Sequence, residues 1–261
     1  MSNRMQKIRN FNQILLSIAG IIGILFLIMA CSIFLIDLWP REYKEEGMIA
    51  DEEVEILNEQ GLRKEIVSFE RFQVADSIQQ IFILPVTQAS LDNPESSDKS
   101  LGLINGFSGK GYYSELVYNN IAIHYGKIDS TVIVFDNRLS LGEYMITRKK
   151  EFLITSGCGS DTNGDKFLNS KDLQNLYTYG LKSKRTQQIK TPANHTVLQV
   201  YEPEETNIVL CKFGVDRNEN GEFEDNIEPT VYMKLNLSNL ILTPIINEDD
   251  IESLQKTLEG K

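Results

Sequence analysis

Residues 151–179, EFLITSGCGSDTNGDKFLNSKDLQNLYTY, decide how this chain is read. Both ends are apolar runs of strand length, and the middle is acidic and full of turn-forming residues. Counting from Asp161, oxygen-bearing side chains fall at positions one, three, five, nine and twelve: Asp161, Asn163, Asp165, Asn169 and Asp172. Oxygens brought together in this way suit a hard cation that takes six to eight of them. Leu168, at position eight, is the apolar residue expected to turn into the fold. A plainer reading needs no metal, because Asp-x-Asn-x-Asp also makes Asx-turns at a hairpin tip.

The spacing resembles a twelve-residue EF-hand loop, in the dockerin variant that ends in Asp rather than Glu, and the likeness covers only these dozen residues. It implies Ca²⁺ held by Asp161, Asn163, Asp165, the backbone carbonyl of Phe167 at position seven, Asn169 and Asp172. Position six departs from the pattern. Lys166 stands where such loops place glycine, and a non-glycine residue held at positive φ costs on the order of 1 kcal/mol.

A second copy lies 55 residues on, in IVLCKFGVDRNENGEFEDNIEPTVYMK. Gly159 and Gly214, Asp161 and Asp216, Asn163 and Asn218, Leu176 and Val231, Tyr177 and Tyr232 coincide. Asp216, Asn218, Asn220 and Glu222 fill the corresponding positions, and Gly221 correctly occupies position six. Position twelve is Ile227, so the closing carboxylate must be a shifted Glu228, or Glu224 or Asp225. With Asn at two ligand positions, this loop is expected to bind more weakly than the first.

The 261 residues suffice for one or two domains, with 24% charged and 41% hydrophobic residues, the composition of a folded globular chain. Net charge is −11, and residues 41–261 carry 23 basic and 36 acidic residues, a net of −13. Such a surface repels phosphate backbones, which argues against a nucleic-acid partner and is compatible with cations. Ile14 to Trp39 is an apolar run of 26 residues broken only by Ser17, Ser32 and Asp37, long enough to span a bilayer. Arg4, Lys7 and Arg9 precede it, which favours a cytoplasmic N-terminus and puts the bulk of the chain outside the cytoplasm. A rival reading takes Ile28-Met-Ala-Cys31-Ser as a lipoprotein box with the lipid on Cys31, but the apolar run continues to Leu38. Cys158 and Cys211 are not equivalent under the repeat, so they read as two buried free thiols.

The expected organisation is a cytoplasmic tail at 1–13, a transmembrane anchor at 14–39 and an acidic helix or stalk at 40–63. An all-β domain follows at 64–246, with cation loops at 161–172 and 216–228, and a C-terminal helix and tail at 247–261. Short strands recur with turn residues between them from Ile66 to Ile246, interrupted by a Ser-, Gly- and Asp-rich loop at 88–111. The fold class is mainly β, as meandering antiparallel sheets with one N-terminal membrane helix. The order of strands resembles the four-stranded blades of β-propellers, with the cation loops between second and third strands of two blades. Residues 64–246 hold only about three such units, whereas closed propellers need four to eight, so the sheets stack open or adopt another meandering arrangement.

Catalytic chemistry has little footing. His124 and His195 have no triad or metal-ligand neighbour at a recognisable spacing, and Gly106, Gly109 and Gly111 match no phosphate loop. Two functional readings follow. One is a membrane-anchored, extracytoplasmic calcium-binding module, not an enzyme, that binds a protein partner in a cell-envelope assembly. The other is a calcium-stabilised hydrolase of glycan or peptide. A calcium sensor fits less well, since sensor loops move helix pairs and strands flank these loops.

Overall fold

The computed structural model describes residues 47–62, 65–90, 118–204 and 206–260. The apolar run at 14–39, Cys31 and the glycines of the 88–111 loop lie outside them. Among the described residues no helix is long and apolar enough to cross a membrane.

The chain is mainly β and its sheets are antiparallel. Strand β1 (Met48–Ile49) leads into helix α1 (Asp51–Glu59). The first sheet contains β2 (Glu65–Phe69), β3 (Gln73–Asp76), β4 (Ile81–Ser90), β5 (Asn120–Tyr125) and β6 (Ser130–Ile133), with β2 and β3 both paired to β4. The second contains β7 (Ser140–Ile146), β8 (Phe152–Cys158), β10 (Asn175–Gly180) and β11 (Arg185–Ile189). The third contains β12 (His195–Tyr201), β13 (Ile208–Val215), β14 (Thr230–Asn236) and β15 (Ile241–Pro244). Strand β9 (Phe167–Leu168) lies in the loop between β8 and β10 and pairs with β1. Helix α2 (Glu248–Leu258) falls within the stretch 247–261 expected to hold a C-terminal helix.

The 55-residue repeat is the second sheet followed by the third. Ser140–Ile146 and His195–Tyr201 are in register at that offset, as are β10 and β14. Both candidate loops connect the second and third strands of their sheets. The turn after β5 and the turn after β10 share a positive φ, at Asp129 (46°) and Lys184 (55°). Helix α1 lies within the stretch 40–63 expected as an acidic helix or stalk. The polar RTQQI at 185–189, not among the expected strands, forms β11.

Side-chain alternation along the middle sheet builds two cores. Leu153, Tyr177 and Tyr179 face the first sheet, packing with Ile83, Ile121 and Ile123. Ile154 and Leu176 face the third, packing with Val209, Phe213 and Leu235. The middle sheet is therefore covered on both faces. Tyr125 ties the first pair together by donating from its hydroxyl to Leu181 O at 2.8 Å, with Tyr179 Oη 3.1 Å away.

Helix α1 ends in a reciprocal cap. Gly61, at φ 68°, donates its N–H to Asn58 O, and Leu62 N–H reaches Leu57 O at 2.9 Å. Leu57 is the buried residue of this helix, and Arg138 holds Asp51 at 2.8 Å and Glu65 at 3.3 Å.

Candidate metal centre

The first loop is wound around Asp161. Its Oδ1 accepts Gly164 N–H at 2.6 Å and its Oδ2 accepts Lys166 N–H at 2.8 Å. Asn163 Oδ1 accepts Asp165 N–H, and Asp165 Oδ1 accepts Phe167 N–H at 2.8 Å. These are successive Asx-turns, and Asn163 Nδ2 comes within 3.5 Å of Asp165 Oδ2. Asn169 joins them by donating Nδ2–H to Asp165 Oδ2 at 3.1 Å. Lys166 holds φ 73°, the conformation expected of position six. Leu168 is buried, as position eight requires.

Asp172 has a different job from the other acids. It is 1% exposed, its Oδ1 accepts Thr162 N–H at 2.6 Å, and its Oδ2 accepts Asn169 N–H at 2.9 Å. The carboxylate braces the start of the loop to its end.

The second loop repeats most of this pattern, without a counterpart of the bond from Gly164 N–H to Asp161 Oδ1. Asp216 Oδ2 accepts Gly221 N–H at 2.9 Å, Asn218 Oδ1 accepts Asn220 N–H, and Asn220 Oδ1 accepts Glu222 N–H. Glu224, at position nine, accepts from Asn220 Nδ2 at 3.2 Å. The brace is Glu228, whose oxygens accept Arg217 N–H at 2.7 Å and Glu224 N–H at 3.1 Å. Position thirteen does here what position twelve does in the first loop, and Asn226 at φ 70° absorbs the extra residue.

Amide hydrogen bonds hold the Glu228 carboxyl below the ordinary glutamate range, first that from Glu224 and then those from Arg217 and Asn218, against an opposing effect of burial. Because the folded value is depressed, the bracing is fully present above the unfolded range and is lost as pH falls through the folded value. Thermal melts taken from about pH 6 to about pH 3 should therefore show an acid-dependent loss that is smaller in Glu228→Gln.

The two loops touch. The Thr162 hydroxyl accepts Leu173 N–H at 2.9 Å and donates to Gly221 O at 2.6 Å. Asp172 and Glu222 form an antiparallel bridge. Gly221 sits at φ 82°, and a Cβ there would collide with the carbonyl of Thr162. Position six of the second loop and position two of the first therefore occupy one tight junction.

Two buried side-chain oxygens among the described residues have no hydrogen-bond partner, Tyr144 Oη and Asp216 Oδ1. Asp216 is 2% exposed. Its Oδ2 accepts Gly221 N–H while Oδ1 is buried without a partner, and an unsatisfied buried carboxylate oxygen is costly. A cation would satisfy it. In the first loop the position-seven carbonyl is suitably placed. Ala50 N–H bonds Lys166 O at 2.9 Å, so β1 takes the flanking residues, and Phe167, whose N–H points at Asp165, turns its polar edge to the loop. The donors present are carboxylate, amide and backbone oxygens, a set that fits Ca²⁺. Among the described residues no three His, Cys, Asp or Glu side chains cluster as a metal-binding group. In these loops Asn and carbonyls alternate with acids, and the closing acids are engaged by amides.

Other titratable groups lie in the sheets and beside the loops, where Cys158 Sγ is 3.4 Å from Asn169 O and 3.7 Å from Asp172 Oδ2. His124 Nδ1 is 3.0 Å from Thr131 Oγ1 and its Nε2 is 4.0 Å from exposed Asp129, neighbours supplied by strand pairing and invisible to sequence spacing. His195 holds Ala193 O at 2.7 Å and lines, with Ser160 and Thr162, a cavity of about 560 Å³ beside the loops. Cys158 and Cys211 are free and buried, and burial pushes both thiols up to about 12. No family model matches this chain, and no curated protein is detectably similar to it.

Proposed function

We propose that this chain is a single-pass, membrane-anchored calcium-binding β module on the outer side of its membrane, a binding or structural component of a cell-envelope assembly. In this reading the three meanders are blades of an open, propeller-like unit, and the ions fix the loops that join second and third strands. Asp161, Asn163, Asp165, Phe167 O and Asn169 hold one ion, braced by Asp172. Asp216, Asn218, Asn220 and Glu222 hold the other, braced by Glu228. The observation that carries the reading is the buried, unpartnered Asp216 Oδ1.

Modules outside the cell meet millimolar calcium and need a Kd of only about 10⁻⁴ M. At tenfold excess such a site adds about 1.4 kcal/mol, so each filled loop should raise the melting temperature by about 3–6 °C. Removing Asp161 and Asp165 together, as D161N/D165N, should remove the first loop's share of that rise. An undiminished rise in the double variant would exclude the first loop as a site.

A further inference from the structure

The first described residues form a strap across the back of the first loop. Met48 and Ile49 pair with Leu168 and Phe167, and Ala50 N–H bonds Lys166 O at 2.9 Å. Gly47 packs so closely that a Cβ would lie 2.7 Å from Leu168 O. Ile49 turns its own N–H the other way, to Glu65 Oε1 at 3.2 Å. Met48, Leu168 and Cys158 make a small cluster separate from the two main cores. A ladder two residues long is marginal by itself, so this strap stays down only while β9 is held in place.

A continuous set of bonds connects β9 to the second loop. Asp216 Oδ2 holds Gly221 N–H, Gly221 O takes the Thr162 hydroxyl, Thr162 N–H meets Asp172 Oδ1, and Asp172 Oδ2 holds Asn169 N–H, one residue past β9. The chain begins at the carboxylate whose other oxygen is buried without a partner. From this junction, and resting on the calcium reading above, we infer that a divalent cation bound at Asp216 controls whether the Gly47–Ala50 strap is docked. Ion binding draws Asp216 and Gly221 into one geometry, Gly221 fixes Thr162, and the braced first loop then presents β9 to the strap. Coupling of this kind is worth about 5- to 150-fold between sites.

Cys158 is a built-in reporter, because it is 1% exposed beneath Met48 and Leu168, while Cys211 is buried in the core between the second and third sheets. The full chain in detergent would be treated with N-ethylmaleimide with and without millimolar calcium, with labelling at each cysteine read by peptide mass mapping and calcium uptake measured in parallel. The expected result is uptake together with labelling of Cys158 that is about tenfold slower in calcium, and unchanged labelling of Cys211. In Thr162→Val, which removes the hydroxyl and no proposed ligand, calcium should still be taken up but most of the protection at Cys158 should vanish. Uptake without any change at Cys158, equal slowing of both cysteines, or full protection in Thr162→Val would each overturn the coupling while leaving calcium binding intact. Absence of uptake would remove the calcium reading itself.

Discussion

Gly221→Val is expected to lower the melting temperature by about 6–12 °C, the equivalent of about 3 kcal/mol for a domain of this size. Two costs add. The backbone sits at φ 82°, where a β-branched residue is strained, and the new Cβ runs into the carbonyl of Thr162. Because the obstacle is backbone, no side-chain rotation relieves it, and the two loops must separate. Gly164→Ala is the matched control. Gly164 has φ 77° but open space around it, so only the conformational cost of about 1 kcal/mol applies. Circular dichroism melts of the two variants separate the junction from the turn. Equal losses would mean that the contact between the loops contributes nothing.

Asp172→Ala should cost about 3 kcal/mol, and should do so in a chelator as fully as in calcium. Its carboxylate is buried and accepts Thr162 N–H and Asn169 N–H, and hydrogen bonds to a charged group are worth about 1.5–3 kcal/mol each. Removing it leaves the Thr162 and Asn169 amides short of an acceptor. Were Asp172 chiefly a cation ligand, the loss would appear only in calcium. Urea unfolding in the presence of chelator and of calcium distinguishes the two roles.

The loop geometry was legible because ligand spacing and backbone turns share a cause: Asx side chains at positions one, three and five bend the chain that they would also coordinate from. Lys166 at positive φ followed from its place in that pattern, and so did the burial of Leu168. The 55-residue offset carried the second and third sheets because their first and third strands, β7 with β12 and β10 with β14, start in register across it. Strand β11 escaped notice because RTQQI buries only Ile189 and shows no alternation. The β1 and β9 pairing is two residues long and wholly tertiary, so no periodicity announces it. Glu228 could be named as a candidate, but choosing it over Glu224 and Asp225 required knowing that Asn226 turns the chain. The orphaned Asp216 Oδ1 is a fact of packing that no spacing encodes.

Isothermal titration of the full chain in detergent with calcium tests the central claim most directly. The account predicts saturable uptake with a Kd of about 10⁻⁴ to 10⁻³ M, and loss of the second loop's share in Asp216→Asn. No uptake at millimolar calcium, or uptake unchanged in Asp216→Asn, would contradict it.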